Sequence, residues 1–245
     1  MEWSRAKTIL IFAFLLLNLL LAYQLWIGSL DKGQAAANDV NFSEEIRQLM
    51  EERNIRIDAQ IPKETPKLQE ITVAFDRKFD PNIKIRLAQP FRSDLLFRDG
   101  GAAAELGRQV FAADAYQLDP ADSDADHYVL HQTVDHYPMF EVNLELDTSQ
   151  GMVVGYRQQY ADILPGTADK AQKVLAATTA VGTLVENNYL PLDSVITDVR
   201  LGFHGQLFDS ETQVLAPYWR VTTKRGEVFY VHAITGAVAA PQKEK

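Results

Sequence analysis

From Ile9 to Ile27 the chain runs 19 residues without a charge, almost all of them Leu, Ile, Phe and Ala. As a helix rising about 1.5 Å per residue, that stretch spans roughly 28 Å, close to the ~30 Å hydrocarbon core of a bilayer. It is predicted to be a single transmembrane helix. Arg5 and Lys7 precede it, and Asp31 cancels Lys32 beyond it. Positive charge stays on the cytoplasmic side, so residues 1–8 are expected inside and everything after Trp26 outside. Tyr23 and Trp26 fall where an outer aromatic belt would lie. The rival is a cleavable signal peptide, for which Ala35-Ala36-Ala37 offers a peptidase site. The apolar run exceeds the usual ~7–15 residues of such a signal, and the triplet lies about ten residues past it, so an uncleaved anchor is expected.

No other apolar run approaches spanning length, which predicts a single-pass protein of the cell membrane with an extracytoplasmic C-terminal portion. The net charge is −9, and with Arg5 and Lys7 outnumbering Glu2 the portion beyond the anchor carries −10. Such an acidic surface argues against nucleic acid and against docking on anionic lipid. There is no cysteine, which excludes disulfides, thiolate nucleophiles and Cys-ligated metals.

Beyond the anchor, residues 28–42 are small and polar, a tether. Ser43 is a good N-cap with Glu44 and Glu45 behind it, and Ile46, Leu49 and Met50 make an apolar stripe up to a stop at Asn54. Ile55, Ile57 and Ile61 then alternate as an extended segment. Ile71, Val73, Phe75 and Ile83, Ile85, Leu87 flank Asp80-Pro81-Asn82 and read as a hairpin. A glycine-rich break at 99–107 leads into a short helix, and 119–126 is a loop. Phe140 to Leu146 and Met152 to Tyr156 alternate around a polar glycine turn, the clearest hairpin of this half.

Leu164-Pro165-Gly166 marks a boundary. Thr167 is expected to cap a helix burying Ala171, Val174, Leu175, Thr178, Val181 and Val185, stopping at Asn187-Asn188. Strands are expected at 195–207, 218–223 and 227–233. The strand-turn-strand pattern of FEVNLELDTSQGMVVGY recurs in YWRVTTKRGEVFYVHAITG. The expected fold is therefore α+β, with two extracytoplasmic antiparallel-sheet units, 43–163 and 166–240, each with a packed helix.

Chemistry is sparse. His127, His131 and His136 lie among aspartates, but on one strand His127 and His131 stand about 13 Å apart and His136 faces the other way. Asp122, Asp124 and Asp126 resemble the start of a calcium loop, but His127 stands at the glycine position and Thr133 where a bidentate Glu belongs. A solvated acidic loop entering a strand is the reading adopted, with a His127/His131 metal hydrolase as the weakest alternative. His204 and His232 read as strand histidines. No nucleophile elbow, zinc-protease helix, dinucleotide turn or P-loop occurs. No enzyme activity, metal or cofactor is expected.

The anchor itself carries a polar signal. Asn18 sits near the midplane, where an amide lacks a partner unless a neighbouring helix supplies one. Ala22 and Leu25 follow at one and two turns, with Phe14 one turn before, so one stripe combines an amide with a small residue that permits close approach. Asn18, Ala22, Phe14 and Leu25 are the expected partner contacts, and Arg5 and Lys7 set topology. Gln24, near the interface, can reach water.

The opening run WSRAKTILIFAFLLLNLLLAYQLW resembles the N-terminus of the YycI (WalI) family through Trp3, Ser4, Arg5, Lys7, Thr8, Asn18 and Gln24. The closing YWRVTTKRGEVFYVHAITG is similar to a PepSY-like end. The resemblance implies a membrane-anchored accessory protein of the YycG/YycF (WalK/WalR) two-component system of Gram-positive cell-wall control. Its implied partners are the sensor histidine kinase YycG and the relative YycH (WalH). An alternative is an outward-facing module that binds a peptide or wall fragment, for which a concave aromatic patch at Tyr218, Trp219 and Phe229 would speak.

Overall fold

The computed structural model describes residues 14, 18, 42–98, 101–165, 170–206 and 210–239. The chain divides into Met1–Asn41 and Phe42–Lys245. In the first part, Phe14 and Asn18 are helical and exposed; the rest of the expected anchor and the tether lie outside the described residues. No helix among the described residues is long and apolar enough to cross a membrane.

The second part is mixed α+β and mostly sheet. It begins with α1 (Glu44–Glu52), where the Ser43 hydroxyl accepts the Ile46 N–H at 3.4 Å and Glu44 and Glu45 sit in the first turn. The helix ends as Asn54 turns to φ +51°. The strands that follow are β1 (Arg56–Ile57), β2 (Lys67–Leu68), β3 (Ile71–Phe75) and β4 (Ile85–Arg92). Helix α2 (Gly101–Leu106) precedes β5 (Tyr116–Asp119), β6 (His127–Val134), β7 (Tyr137–Ser149), β8 (Met152–Gln158), β9 (Ala161–Leu164) and β10 (Gln172–Lys173). Helix α3 (Ala177–Glu186) leads into β11 (Val195–His204), β12 (Thr212–Thr223) and β13 (Val228–His232).

Strands β4-β8-β7-β6-β5 form one antiparallel run, and β11-β12-β13 another. They join where β7 meets β11 in parallel at Met139 and Phe203. Strand β12 is long enough to serve different neighbours along its length: Thr212–Leu215 pair with β3, and Ala216–Thr223 with β11. Under the first run, α2 contributes Leu106 to a core of Leu130, Leu144, Leu146 and Val153. Under the second, α1 and α3 pack on Ile196, Leu201, Trp219 and Val231. A third cluster, Val73, Met139, Val142, Phe203 and Leu215, fills the junction.

Three expectations are corrected here. Strands β3 and β4 are not a hairpin. The Asp80-Pro81-Asn82 turn forms, with the Asn82 and Ile83 N–H groups donating to Asp80, yet β3 pairs with β12 and β9 while β4 pairs with β8. Helix α3 begins at Ala177: Gln172–Lys173 are extended, the Val174 N–H donates to Pro66 and the Leu175 N–H to Ala233. Thr167 lies outside the described residues. Nor do the cores follow the 163/166 boundary, because α1 packs against α3, with Ile46 lying over Gly182, and β1 joins β11 in parallel.

Candidate functional site

The densest polar grouping sits where the two sheet runs meet. Strand β5 ends at the fully buried Asp119, whose carboxylate accepts the Ala121 N–H at 3.0 Å. The Ser123 hydroxyl donates to the Asp119 carbonyl and accepts the Val129 N–H, which folds the 120–126 loop back over the strand end. That loop delivers Asp122. Strand β6 supplies His131, β7 supplies Asn143, β11 supplies Asp198 and Arg200, and β12 supplies Arg220, which is 1% exposed in its side chain.

The Arg220 guanidinium donates to Asp119 and to Asp122, each at 2.6 Å, and to Asp198 at 3.2 Å, with its carbon 4.7 Å from the Phe140 ring centre. Arg200 reaches the same Asp119 oxygen at 3.0 Å. His131 lies with Nδ1 2.7 Å from the Asn143 Oδ1 and Nε2 3.1 and 3.2 Å from Asp122 and Asp119. Both ring nitrogens face oxygen, the arrangement an imidazolium satisfies with two N–H donors. Burial works against that charge, but the hydrogen bonds to Asp119 and Asp122 outweigh it and raise the pKa of His131. Burial also works against the Asp119 carboxylate, and there the His131 hydrogen bond and the two guanidinium charges prevail and lower its pKa. With His131 protonated, three carboxylates meet two guanidiniums and one imidazolium, a neutral set.

Asp119, Asp122 and His131 present ligand atoms within 4.8 Å of one another. The oxygens a metal would take are already held by Arg220 and Arg200, so the donor set fits an ion-pair network and not a cation site. His127 is not part of it. It stands 3.8 Å from Glu145 and 4.0 Å from Asp147 on another patch. His136 is not on a strand face at all: with Asp135 it makes the two-residue turn between β6 and β7, both at positive φ. Asp124 caps its own loop by accepting the Asp126 and His127 N–H groups. His204 is a buried strand residue bonded to Glu141 and stacked on Tyr230 at 3.7 Å. His232 accepts two N–H groups of the turn after β13.

Beside the network lies a cavity of about 580 Å³ bounded by β5, β11, the start of β7 and the 60–66 segment. Trp219 reaches its wall from the core, 1% exposed, with its indole N–H given to the Leu175 carbonyl at 2.9 Å. A surface aromatic patch at Tyr218, Trp219 and Phe229 is therefore not what β12 and β13 build. Of the anchor stripe, Phe14 and Asn18 are helical and exposed, one turn apart; Ala22, Leu25, Arg5 and Lys7 lie outside the described residues. Sequence reasoning missed Asp119, Asp198, Arg200 and Arg220, and singled out Asp122 only within an acidic loop read as solvated. Their one signal was charge inside apolar strand patterns, as at Arg220 between Trp219 and Val221.

No curated protein matches the sequence. Among solved structures, an uncharacterized protein from Eubacterium rectale ATCC 33656 is similar at 14% identity and a TM-score of 0.37, over 51% of this chain and 45% of that one. The family described as YycI protein matches residues 99–234, a stretch that contains β5 to β13, the whole ion-pair network and most of the cavity wall. By that match, which takes in more than half of its length, the chain belongs to the YycI family.

Proposed function

We propose that this chain is a non-catalytic accessory regulator of a sensor histidine kinase of the YycG (WalK) type, acting with a YycH (WalH) relative. The observation that carries this reading is the family match over residues 99–234. The apolar run from Ile9 to Ile27 supports it as a single-pass anchor with the N-terminus inside. On this reading the stripe of Phe14, Asn18, Ala22 and Leu25 packs on the kinase's own transmembrane helices. It biases them between two arrangements by binding one better than the other. An interhelical amide bond stabilises such a contact by about 0.6–2 kcal/mol, or roughly 3- to 30-fold in association.

The test is Asn18→Leu in the full-length protein. Expression and membrane insertion are expected to hold, while co-purification with the kinase falls by about that factor. Unchanged co-purification together with unchanged target-gene output would remove Asn18 from the mechanism.

A second reading, an extracytoplasmic module that binds a peptide or wall fragment, is favoured by the cavity beside β11.

A further inference from the structure

One edge of β11 is paired by β12 along its length, but the opposite edge is paired only at its ends. Parallel β1 meets Val195 and Ile196, and parallel β7 meets Phe203. Among the described residues no strand pairs with this edge between those points. The gap is sharply bounded at its far end. Gly202 lies so close beneath β7 that a Cβ there would stand 2.5 Å from the Pro138 carbonyl oxygen. At its near end the Asp58 and Ala59 N–H groups both close on the Ile196 carbonyl, and the chain then departs.

The cavity occupies this gap. Asp198, Val199, Arg200 and Leu201 all line it, although side chains of successive strand residues point to opposite faces. Four consecutive residues share one cavity only when it runs along the strand's edge, where the backbone itself is the wall. At about 3.3 Å per residue the stretch from Ile196 to Phe203 gives roughly 23 Å of edge. Unpaired backbone groups on an edge are a template for another strand.

Two further features say what fits. Pro62, Pro66, Pro120 and Pro138 all stand in the walls. Proline has no N–H to donate to a ladder, so at these positions the chain's own walls cannot close the gap by joining β11. Asp198 and Arg200 are already engaged with Arg220 and Asp119, at 3.2 and 3.0 Å, so the charges on the edge are neutralised from within. The remaining recognition groups are main-chain donors and acceptors, with Glu64 on the wall disfavouring an acidic guest.

We propose that this slot receives a short extended polypeptide segment, neutral or basic and supplied by another molecule, which pairs with β11 and completes the sheet between β1 and β7. The inference gives a site to the second functional reading and rests on it alone. The Asn18 experiment stands or falls separately.

The probe is an acetylated and amidated six-residue peptide of alternating threonine and valine, added to the full-length protein in detergent and followed by amide hydrogen exchange. Within 198–201 the backbones of Asp198 and Arg200 face β12 and those of Val199 and Leu201 face the gap, so in the free protein the Val199 and Leu201 amides are expected to exchange faster than those of 219–222. At a peptide concentration ten times its Kd, exchange at Val199 and Leu201 should slow about tenfold. Two alternately N-methylated forms of the peptide are the controls, since only alternate amides face a partner strand. At least one of them should give no slowing. Gln117→Trp, which fills the slot from β5 at an exposed position, should abolish the effect without moving the unfolding midpoint. The proposal is overturned if the capped peptide gives no slowing, if both methylated forms protect as well as the parent, or if the Val199 and Leu201 amides are already as slow as their β12 neighbours.

Discussion

Arg220 concentrates more interactions than any other residue of the network. It bonds to three carboxylates from one loop and two strands, lies over Phe140, and is almost wholly shielded from water. Such a set is stabilising only while it is complete, because removing one member leaves buried charge without a counter-ion. Arg220→Met is expected to destabilise the protein by about 3–5 kcal/mol, measured by urea unfolding of the full chain in detergent at neutral pH. His131 gives the network its pH dependence. Its folded pKa is raised above the ordinary value of about 6.5. The stability it contributes is therefore fully present below about pH 6.5 and is lost as pH rises through the folded pKa. Asp119 acts on the acid side: its lowered pKa means a contribution present above about pH 3.9 and lost as pH falls through the depressed value. His131→Gln should accordingly be most destabilised relative to the parent at about pH 6 and least so in alkali, as read from unfolding midpoints across that range. A difference that stays constant with pH would mean that His131 is neutral in the fold.

Among the elements, the crossing of β7 over β11 holds the two sheet runs together, and it depends on one missing side chain. A Cβ at Gly202 would stand 2.5 Å from the Pro138 oxygen and 2.6 Å from the Phe140 ring, and neither backbone nor ring has a far end free to swing away. Gly202→Ala should cost about 1–3 kcal/mol as overpacking and raise amide exchange around Met139 and Phe203 before the rest of the fold. Gly226→Ala is the control. There a Cβ meets nothing, and only the positive φ of +84° is strained, so the loss should stay local to the turn before β13. The same contrast explains what could be read in advance. The cap at Ser43, the β7–β8 hairpin with Gln150 and Gly151 at positive φ, and the closing three strands all rest on signals a few residues long. The β3–β4 hairpin failed because its turn signal was real but strand pairing was decided by distant partners, Leu215 and Ile163 among them. Val174 and Leu175 looked helical by spacing, and backbone bonds to Pro66 and Ala233 hold them ahead of the helix instead. The ion-pair network was illegible for the same reason: Asp119 and Arg220 are 101 residues apart, and only the topology brings them together.

For the molecule as a whole, the function proposed above divides between an anchor that would carry the signal and an outer portion that would carry it. The two make different demands on the run from Ile9 to Ile27. A passive anchor needs only length and apolarity, which polyleucine supplies as well as the native residues. An anchor that biases a neighbouring helix needs a particular stripe, since lipid gives no general drive for helices to associate and close packing and polar contacts must provide it. On the proposed reading, replacing residues 9–27 with polyleucine, Arg5 and Lys7 retained, is therefore expected to keep topology and the fold of residues 42–245 while abolishing modulation of the kinase. The readouts are kinase autophosphorylation in reconstituted membranes and the unfolding midpoint of the replaced chain. Retained modulation would assign the message to the outer portion. Gln117→Trp in the native chain would then ask whether the slot beside β11 is where that message enters.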